Sequence, residues 1–190
     1  MSKNKKNTQD LFDALENATT ELIDLISAAD SVKINSIPFR NSWTAAQLAA
    51  HVTKSNNAII QAMGMEGEKA KRNSGERIRE LKSIFLNYET RFQSPDFIMP
   101  TQQIYEKKII VTDLKKSIER FKTIARKTDL TEIIGLPSFG EITKLELAWF
   151  VLYHTQRHIY QLTKILASLA NNKNFTEDNS KRPVDKSTNF

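Results

Sequence analysis

Apolar residues spaced three and four positions apart dominate the chain, and this spacing predicts a protein that is helical almost throughout. The first stretch predicts an amphipathic helix over residues 9–29, whose apolar face carries Leu11, Leu15, Ala18, Leu22, Leu25, Ile26 and Ala29. The same pattern predicts a shorter helical segment over 78–92 and a longer helix over 103–127. No segment alternates apolar and polar residues for long enough to predict a strand.

Two further helices begin with recognisable capping signals. Thr44 is followed three residues later by Gln47, and Thr143 is followed at the same spacing by Glu146. In such a capping box, each of the two side chains accepts a hydrogen bond from a free backbone N–H at the start of the helix. Apolar pairs at hydrophobic-staple positions flank both starts: Trp43 with Leu48, and Ile142 with Leu147.

These signals place the second helix over about residues 44–63 and the last helix over about 143–170. Loops are expected between the helices, at 35–38, 64–75 and 135–140. We therefore predict an all-α four-helix bundle with a helical insertion between its second and third helices. The bundle domain should span 8–170, between a basic disordered N-terminus (1–7) and a disordered C-terminal tail (171–190).

Length and composition exclude several classes of protein. A chain of 190 residues fits one domain with its own core. No apolar run reaches the roughly 18 residues that a membrane-spanning helix requires, and the N-terminus lacks the apolar stretch of a signal peptide. The chain has no cysteine, which excludes disulfides, thiolate metal ligands and a thiol nucleophile of its own. We expect a cytoplasmic protein without a membrane partner.

The net charge of +6 raises the question of nucleic-acid binding, which the distribution of the charges argues against. Residues 1–7 contain three lysines, and residues 171–190 have a net charge of +1. Residues 8–170 therefore carry 21 basic and 19 acidic side chains. A surface that follows phosphates needs basic groups clustered on the fold. We predict no nucleic-acid partner.

The chain contains only three histidines, and two of them, His154 and His158, lie four residues apart on the last predicted helix. At that step both imidazoles project from one face, one turn apart, which suits two ligands of a single metal ion. Helical phases place this pair on the apolar stripe that faces the bundle interior. His51 likewise points inward from the second helix, among small neighbours that leave room for a pocket.

The alternative interpretation is that these are core histidines, each with an ordinary hydrogen bond. Several buried ring nitrogens would then need partners, and each unmet one costs about 1–3 kcal/mol. The second helix contains no acidic residue, and the last has only Glu146, so carboxylate partners from these helices are scarce. Neutral imidazole is a preferred ligand of divalent transition metals. We therefore predict a metal site formed by His51, His154 and His158.

The segments that carry these residues resemble a known family. Residues 38–52, with the run Asn-Ser-Trp-Thr before the second helix and His51 within it, look like the corresponding entry segment of DinB/YfiT-like proteins. Residues 137–140 and 154–162 look like the loop and last helix of the same family. The resemblance covers most of 8–170. One departure is Thr155, where relatives often carry an acidic residue; it points some 100° away from the ligands, so the site should survive.

The resemblance implies a bundle with a long crossover and a three-histidine site for one divalent ion, nickel or zinc foremost and otherwise iron or manganese. It also implies a monomer or homodimer. Characterised relatives include metal-dependent hydrolases and thiol-dependent transferases or isomerases, whose cosubstrate is a small thiol such as bacillithiol or mycothiol. The expected partner is therefore a small-molecule substrate, with a low-molecular-weight thiol as a candidate cosubstrate.

Three neutral histidines leave a coordination position open, as in catalytic sites. The metal could activate a water for hydrolysis or hold a thiol as thiolate for transfer to an electrophile. A hydrolase benefits from a general base, which would have to come from the third helix or from acids of the first helix: Asp13, Glu16, Glu21 and Asp24. The scarcity of carboxylates leans slightly toward thiol transfer.

Other polar residues near the histidines have weaker interpretations. Gln161 could orient a ligand or the substrate, or it is an ordinary polar residue of the helix end. Arg157, at the edge of the face, is expected to be exposed, with pairing to an anionic substrate as the alternative. The rival to an enzyme is a stress-response or small-molecule-binding protein with a structural metal. The sequence identifies neither the substrate nor the metal.

Overall fold

The computed structural model describes residues 3–171, with side chains from Thr8 onward. It contains five α-helices: α1 (Lys3–Ala28), α2 (Ala45–Met63), α3 (Ile78–Phe85), α4 (Lys107–Lys127) and α5 (Lys144–Asn171). The predicted all-α bundle is confirmed, with α3 as the insertion. None of the described helices has an apolar stretch long enough to cross a membrane. Helix α1 begins at Lys3, within the segment 1–7 that the sequence predicted to be disordered. The predicted domain limits stay a prediction, and the predicted C-terminal tail lies almost wholly outside the described residues.

The order of core residues along each helix shows how the bundle is connected. Two clusters of buried side chains fill its interior, one containing Leu15, Met63 and Phe121, the other containing Leu22 and Leu48. Helices α1 and α5 run from the first cluster to the second, whereas α2 and α4 run from the second to the first. Helices α2 and α4 pack side by side, so they are parallel neighbours. Residues 64–106 must therefore return along the bundle, which is the long crossover that the resemblance implied.

The second half of this crossover, residues 86–106, is an irregular strap rather than the helix predicted to extend to residue 92. Helix α3 ends at Phe85 because Asn87 folds the chain into a turn, where its side chain accepts from the backbone N–H of Glu89 at 3.2 Å. The helix predicted from residue 103 begins only at Lys107. Asn35 bonds both the N–H and the carbonyl of Tyr105, at 2.9 and 3.0 Å, and so holds that residue outside the helix.

A small antiparallel sheet corrects the prediction that the chain has no strand. Its strands are β1 (Glu68–Lys69), β2 (Glu132–Leu136) and β3 (Gly140–Thr143), in the order β1-β2-β3. The loop predicted at 135–140 is the tip of the β2–β3 hairpin, where Gly140 adopts a φ of +63° that favours glycine. These strands were missed because each is too short to show sustained alternation. Strand β3 leads directly into α5.

Both predicted capping boxes are present. The hydroxyl of Thr44 accepts from the N–H of Gln47 at 3.1 Å, and the Gln47 side chain accepts from Thr44 at 3.0 Å. Thr143 and Glu146 make the same pair of bonds at the start of α5, at 3.1 and 2.9 Å. Glu146 is fully buried and also receives two bonds from Arg72, at 2.6 and 2.7 Å. This carboxylate therefore ties the first half of the crossover to α5.

We expect Glu146→Gln to lower the free energy of unfolding by about 2–3 kcal/mol at neutral pH, because it leaves the partly buried Arg72 without its counter-charge. Burial raises the pKa of Glu146, but the bonds from Arg72, Thr143 and Arg77 outweigh it and hold the pKa below the ordinary 4.5. Its stabilising contribution is thus present above that pH and is lost as the pH falls through the folded pKa. Urea titrations of both proteins should converge at acid pH.

The matched control is Glu80→Gln, which removes an exposed carboxylate that pairs with Arg77 at 3.1 Å. This change should cost less than about 0.5 kcal/mol. If Glu146→Gln costs no more than the control, the ion pair with Arg72 does not hold the crossover in place.

Candidate metal centre

The structure brings all three histidines together between α2 and α5. His154 lies in the middle, with its Nε2 3.0 Å from Nε2 of His158 and 3.3 Å from Nε2 of His51. All three rings are buried, between 2 and 7% exposed. Among the described residues, no carboxylate or further histidine joins this group. The three histidines point inward, as their positions on the predicted helices indicated, and their ring nitrogens form one compact cluster.

The outer nitrogens of two rings are hydrogen-bonded to oxygens. His51 Nδ1 lies 3.0 Å from the carbonyl of Ile98 in the strap, and His158 Nδ1 lies 2.9 Å from Oε1 of Gln161. An amide or carbonyl oxygen can only accept, so each Nδ1 carries the proton. In a neutral ring the other nitrogen then has a free lone pair. Both Nε2 atoms are therefore acceptors, and both point at His154.

Burial keeps these rings neutral. Loss of solvent lowers the pKa of His51 to about 4, although its bond to Ile98 opposes the shift. Burial also puts the pKa of His154 and of His158 well below the ordinary 6.5, and positive charge on neighbouring rings would lower each further. At neutral pH all three are uncharged imidazoles, the form that binds metal. At neutral pH the three rings therefore carry no additional proton that could lie between their nitrogens.

The donor set fits a divalent ion. His154 could donate one proton to only one of its neighbours, so at least one buried Nε2 stays without a donor, at a cost of about 1–3 kcal/mol. Nitrogens bound to one zinc at about 2.0–2.1 Å in tetrahedral geometry lie roughly 3.3 Å apart. The distances from His154 of 3.0 and 3.3 Å are close to that spacing. All three ligand atoms lie within 4.8 Å of one another, so the three side chains could converge on one ion.

A cavity of about 250 Å³ opens onto the three histidines. Its walls are mainly apolar and come from α2, α3, the strap and the β2–β3 hairpin, and they include Phe85, Phe92, Phe97, Phe139 and Phe150. Ser55, one turn beyond His51, is among the few polar groups in the wall. No Asp or Glu of the described residues lines the cavity, and the four acids of α1 considered as general bases are exposed elsewhere on the surface.

The strap forms one wall of this cavity, and buried or half-buried cations bind its backbone. Arg157 donates to the carbonyls of Phe85 at 3.2 Å, Asn87 at 2.9 Å and Thr90. On the far side, Lys54 donates to the carbonyl of Met99 at 2.6 Å. The expectation that Arg157 is exposed was wrong, since only 6% of it is accessible. Sequence reasoning missed the strap because nothing local links it to a histidine some fifty residues away.

The remaining residues singled out in the sequence lie around the cluster. Gln161 bonds His158, as expected of an orienting residue. Gln47 is engaged in its capping box and does not line the cavity. Thr155 is buried with its hydroxyl donating to the carbonyl of Val151 at 2.8 Å, so it takes no part in the cluster.

The sequence of the chain matches one known protein family. The sequence model described as the DinB superfamily matches residues 5–162. The chain belongs to that superfamily. The resemblance read from the histidine segments is therefore confirmed over most of the chain. No curated protein matches the sequence significantly.

Two solved structures share the fold of this DinB-superfamily chain. One is YfiT from Bacillus subtilis, described as a probable metal-dependent hydrolase with an unusual four-helix bundle topology. It is 14% identical, with a TM-score of 0.55, and the match covers 87% of each chain. The other is TT2238, a four-helix bundle protein that is 17% identical, with a TM-score of 0.53 over 82% of this chain and 97% of its own. At these identities the likeness concerns the fold alone.

We expect Arg157→Met to lower the free energy of unfolding by about 2–3 kcal/mol, because the last carbonyl of α3 and two carbonyls of the strap lose their donor. It should also speed limited proteolysis within residues 86–106. The matched control is Arg120→Met, an exposed position on α4, which should change neither value. Equal cleavage rates in the two variants would show that Arg157 does not fix the strap.

Proposed function

We propose that this protein is a metal-dependent enzyme that acts on a small molecule, with His51, His154 and His158 as the metal ligands. The observation that carries the proposal is the convergence of three neutral Nε2 atoms at the end of a 250 Å³ cavity. Because no fourth ligand joins them in the described part of the chain, a coordination position faces the cavity. An open position is typical of catalytic rather than structural sites.

A divalent ion bound there would act as a Lewis acid that lowers the pKa of a coordinated thiol or water. The chain's own residues supply the rest of the site. The Ile98 carbonyl and Gln161 hold two ligand rings in the correct tautomer. The phenylalanines of α3, the strap and the hairpin limit the access of water and offer an apolar surface to the substrate.

We propose thiol transfer as the reaction, with a low-molecular-weight thiol as cosubstrate. The absence of any carboxylate from the cavity wall supports this choice, because a metal-held thiolate needs no general base beside it. Hydrolysis is the second candidate, and the description of YfiT as a probable metal-dependent hydrolase favours it. Nickel and zinc are the proposed metals, since three imidazoles suit both.

Untagged protein should bind one equivalent of zinc or nickel, measured as metal content after dialysis and as affinity against a chromogenic chelator. We expect His154→Ala to weaken binding by about 100-fold or more, because His154 is the central ring of the cluster.

The control for this measurement is Thr155→Ser, which changes the next residue but keeps a hydroxyl that bonds its own helix. It should bind metal as the wild type does. Less than a tenth of an equivalent in the wild type, with none taken up on soaking, would refute both the site and the enzyme.

With the metal-loaded protein, a physiological thiol and a chromogenic electrophile, we expect a thiol-dependent rate that His154→Ala lowers by about 100-fold. Asp13→Asn tests the idea of a general base from α1. It should leave the rate unchanged, because Asp13 is exposed and lies outside the cavity.

Assays with and without the thiol distinguish thiol transfer from hydrolysis. A rate on chromogenic esters that does not require thiol would favour hydrolysis instead. No rate above His154→Ala with either type of substrate would favour the non-catalytic rival, a binding protein with a structural metal.

A further inference from the structure

A second cavity, of about 210 Å³, adjoins the histidine cavity and shares Arg157 with it. Gln161 lines the second cavity but not the first, so the residue that holds His158 separates the histidines from this space. The proposed function makes no use of the second cavity. Its chemistry is different, because polar and charged side chains predominate and Phe39 is its one phenylalanine among the described residues.

The first sign of a ligand is a buried cation without a counter-charge. Arg157 is 6% exposed, and its hydrogen bonds to the described residues all go to neutral backbone carbonyls, those of Phe85, Asn87 and Thr90. Among the described residues, no carboxylate forms an ion pair with it. A buried charge is costly unless a charge of the opposite sign compensates it. An anion in the adjoining cavity would supply that compensation.

The second sign is a buried hydrogen-bond donor without an acceptor. Gln161 is 6% exposed, and its Oε1 is occupied by His158. Its Nε2 is buried and has no partner. A buried donor without an acceptor is destabilising, so a native structure rarely leaves one unmet without a reason. Because this amide forms part of the cavity wall, a bound oxyanion could accept its hydrogen bond.

The wall around these two residues has an excess of positive charge. Arg91 and Lys164 add two further cations, against the single carboxylate of Glu89. Tyr88 and Tyr160 stack at 4.1 Å between ring centroids and form one side of the cavity. The Nζ of Lys164 lies 4.3 Å from the centre of the Tyr160 ring, at the edge of the same space. Cations and an amide donor thus face one small volume.

We propose that this second cavity binds the oxyanion group, carboxylate or phosphate, of a small ligand. Arg157 and Lys164 supply the charge, and Gln161 Nε2 supplies a directed hydrogen bond. The site does not depend on the proposed metal or reaction, because none of its wall residues is a histidine of the cluster.

Titration calorimetry of the full chain with acetate and with inorganic phosphate, at constant ionic strength, tests this proposal. It is run on protein as purified and on protein freed of metal by a chelator that is then dialysed away. We expect saturable 1:1 binding of at least one of the two anions, with equal affinity in both preparations. The two titrations also show whether the site prefers a carboxylate or a phosphate.

Gln161→Glu is the decisive variant. It keeps an oxygen that accepts from His158, but it replaces the amide donor with a negative charge. We expect anion affinity, measured on the metal-free protein, to fall by at least about tenfold. Lys164→Gln, at an exposed position, should weaken the anion about threefold. Lys116→Gln on α4, also exposed and outside the cavity, should leave the affinity unchanged.

Three results would overturn the proposal. One is the absence of saturation by either anion up to about 50 mM, which corresponds to a binding free energy weaker than roughly 2 kcal/mol. Another is binding that Gln161→Glu leaves unaltered. The third is binding seen only in protein that contains metal, because the anion would then be a ligand of the ion in the histidine site. Failure of the metal-binding experiment would leave this test unaffected.

Discussion

The outer nitrogens of His51 and His158 each donate to an oxygen that can only accept, and the character of the whole site depends on these two bonds. They fix the proton on Nδ1, so that Nε2 of each ring presents a lone pair to the same point. His154 presents its own Nε2 there from between them. Burial lowers the pKa of each ring, so protonation does not satisfy these lone pairs at neutral pH. Such a cluster of neutral, buried ring nitrogens is suited to binding a cation.

The connectivity of the bundle explains how one of those oxygens reaches the site. Because α2 and α4 are parallel neighbours, the chain between them must pass along the outside of the bundle. Among the described residues, its second half contains only one short turn of 3-10 helix, Asp96–Ile98, so most of its carbonyl groups have no partner within regular structure. Arg157, Lys54 and His51 donate to several of them instead. The strap that closes the cavity is therefore held by side chains that also form or flank the candidate metal site.

Features that depend on contacts between residues close in the chain could be predicted from the sequence, whereas features that depend on long-range contacts could not. The capping boxes at Thr44 and Thr143 are local, and the helical phase of the three histidines follows from them, so both appear in the sequence. The strap, by contrast, joins residues far apart in the chain and leaves no periodic signal. Arg157 was misjudged for the same reason. On an isolated helix it sits at the edge of the buried face, and only the strap covers it.

The sheet was missed for a different reason, since its strands are too short for alternation to be visible. It matters to the site nevertheless, because the β2–β3 hairpin places Phe139 in the cavity wall and ends at the cap of α5. An apolar wall without carboxylates and a neighbouring cavity rich in cations give the two sides of Arg157 opposite chemistries. A small molecule with one apolar and one anionic part would match both. The position of this buried guanidinium between the two cavities is thus the feature that most narrows the class of substrate.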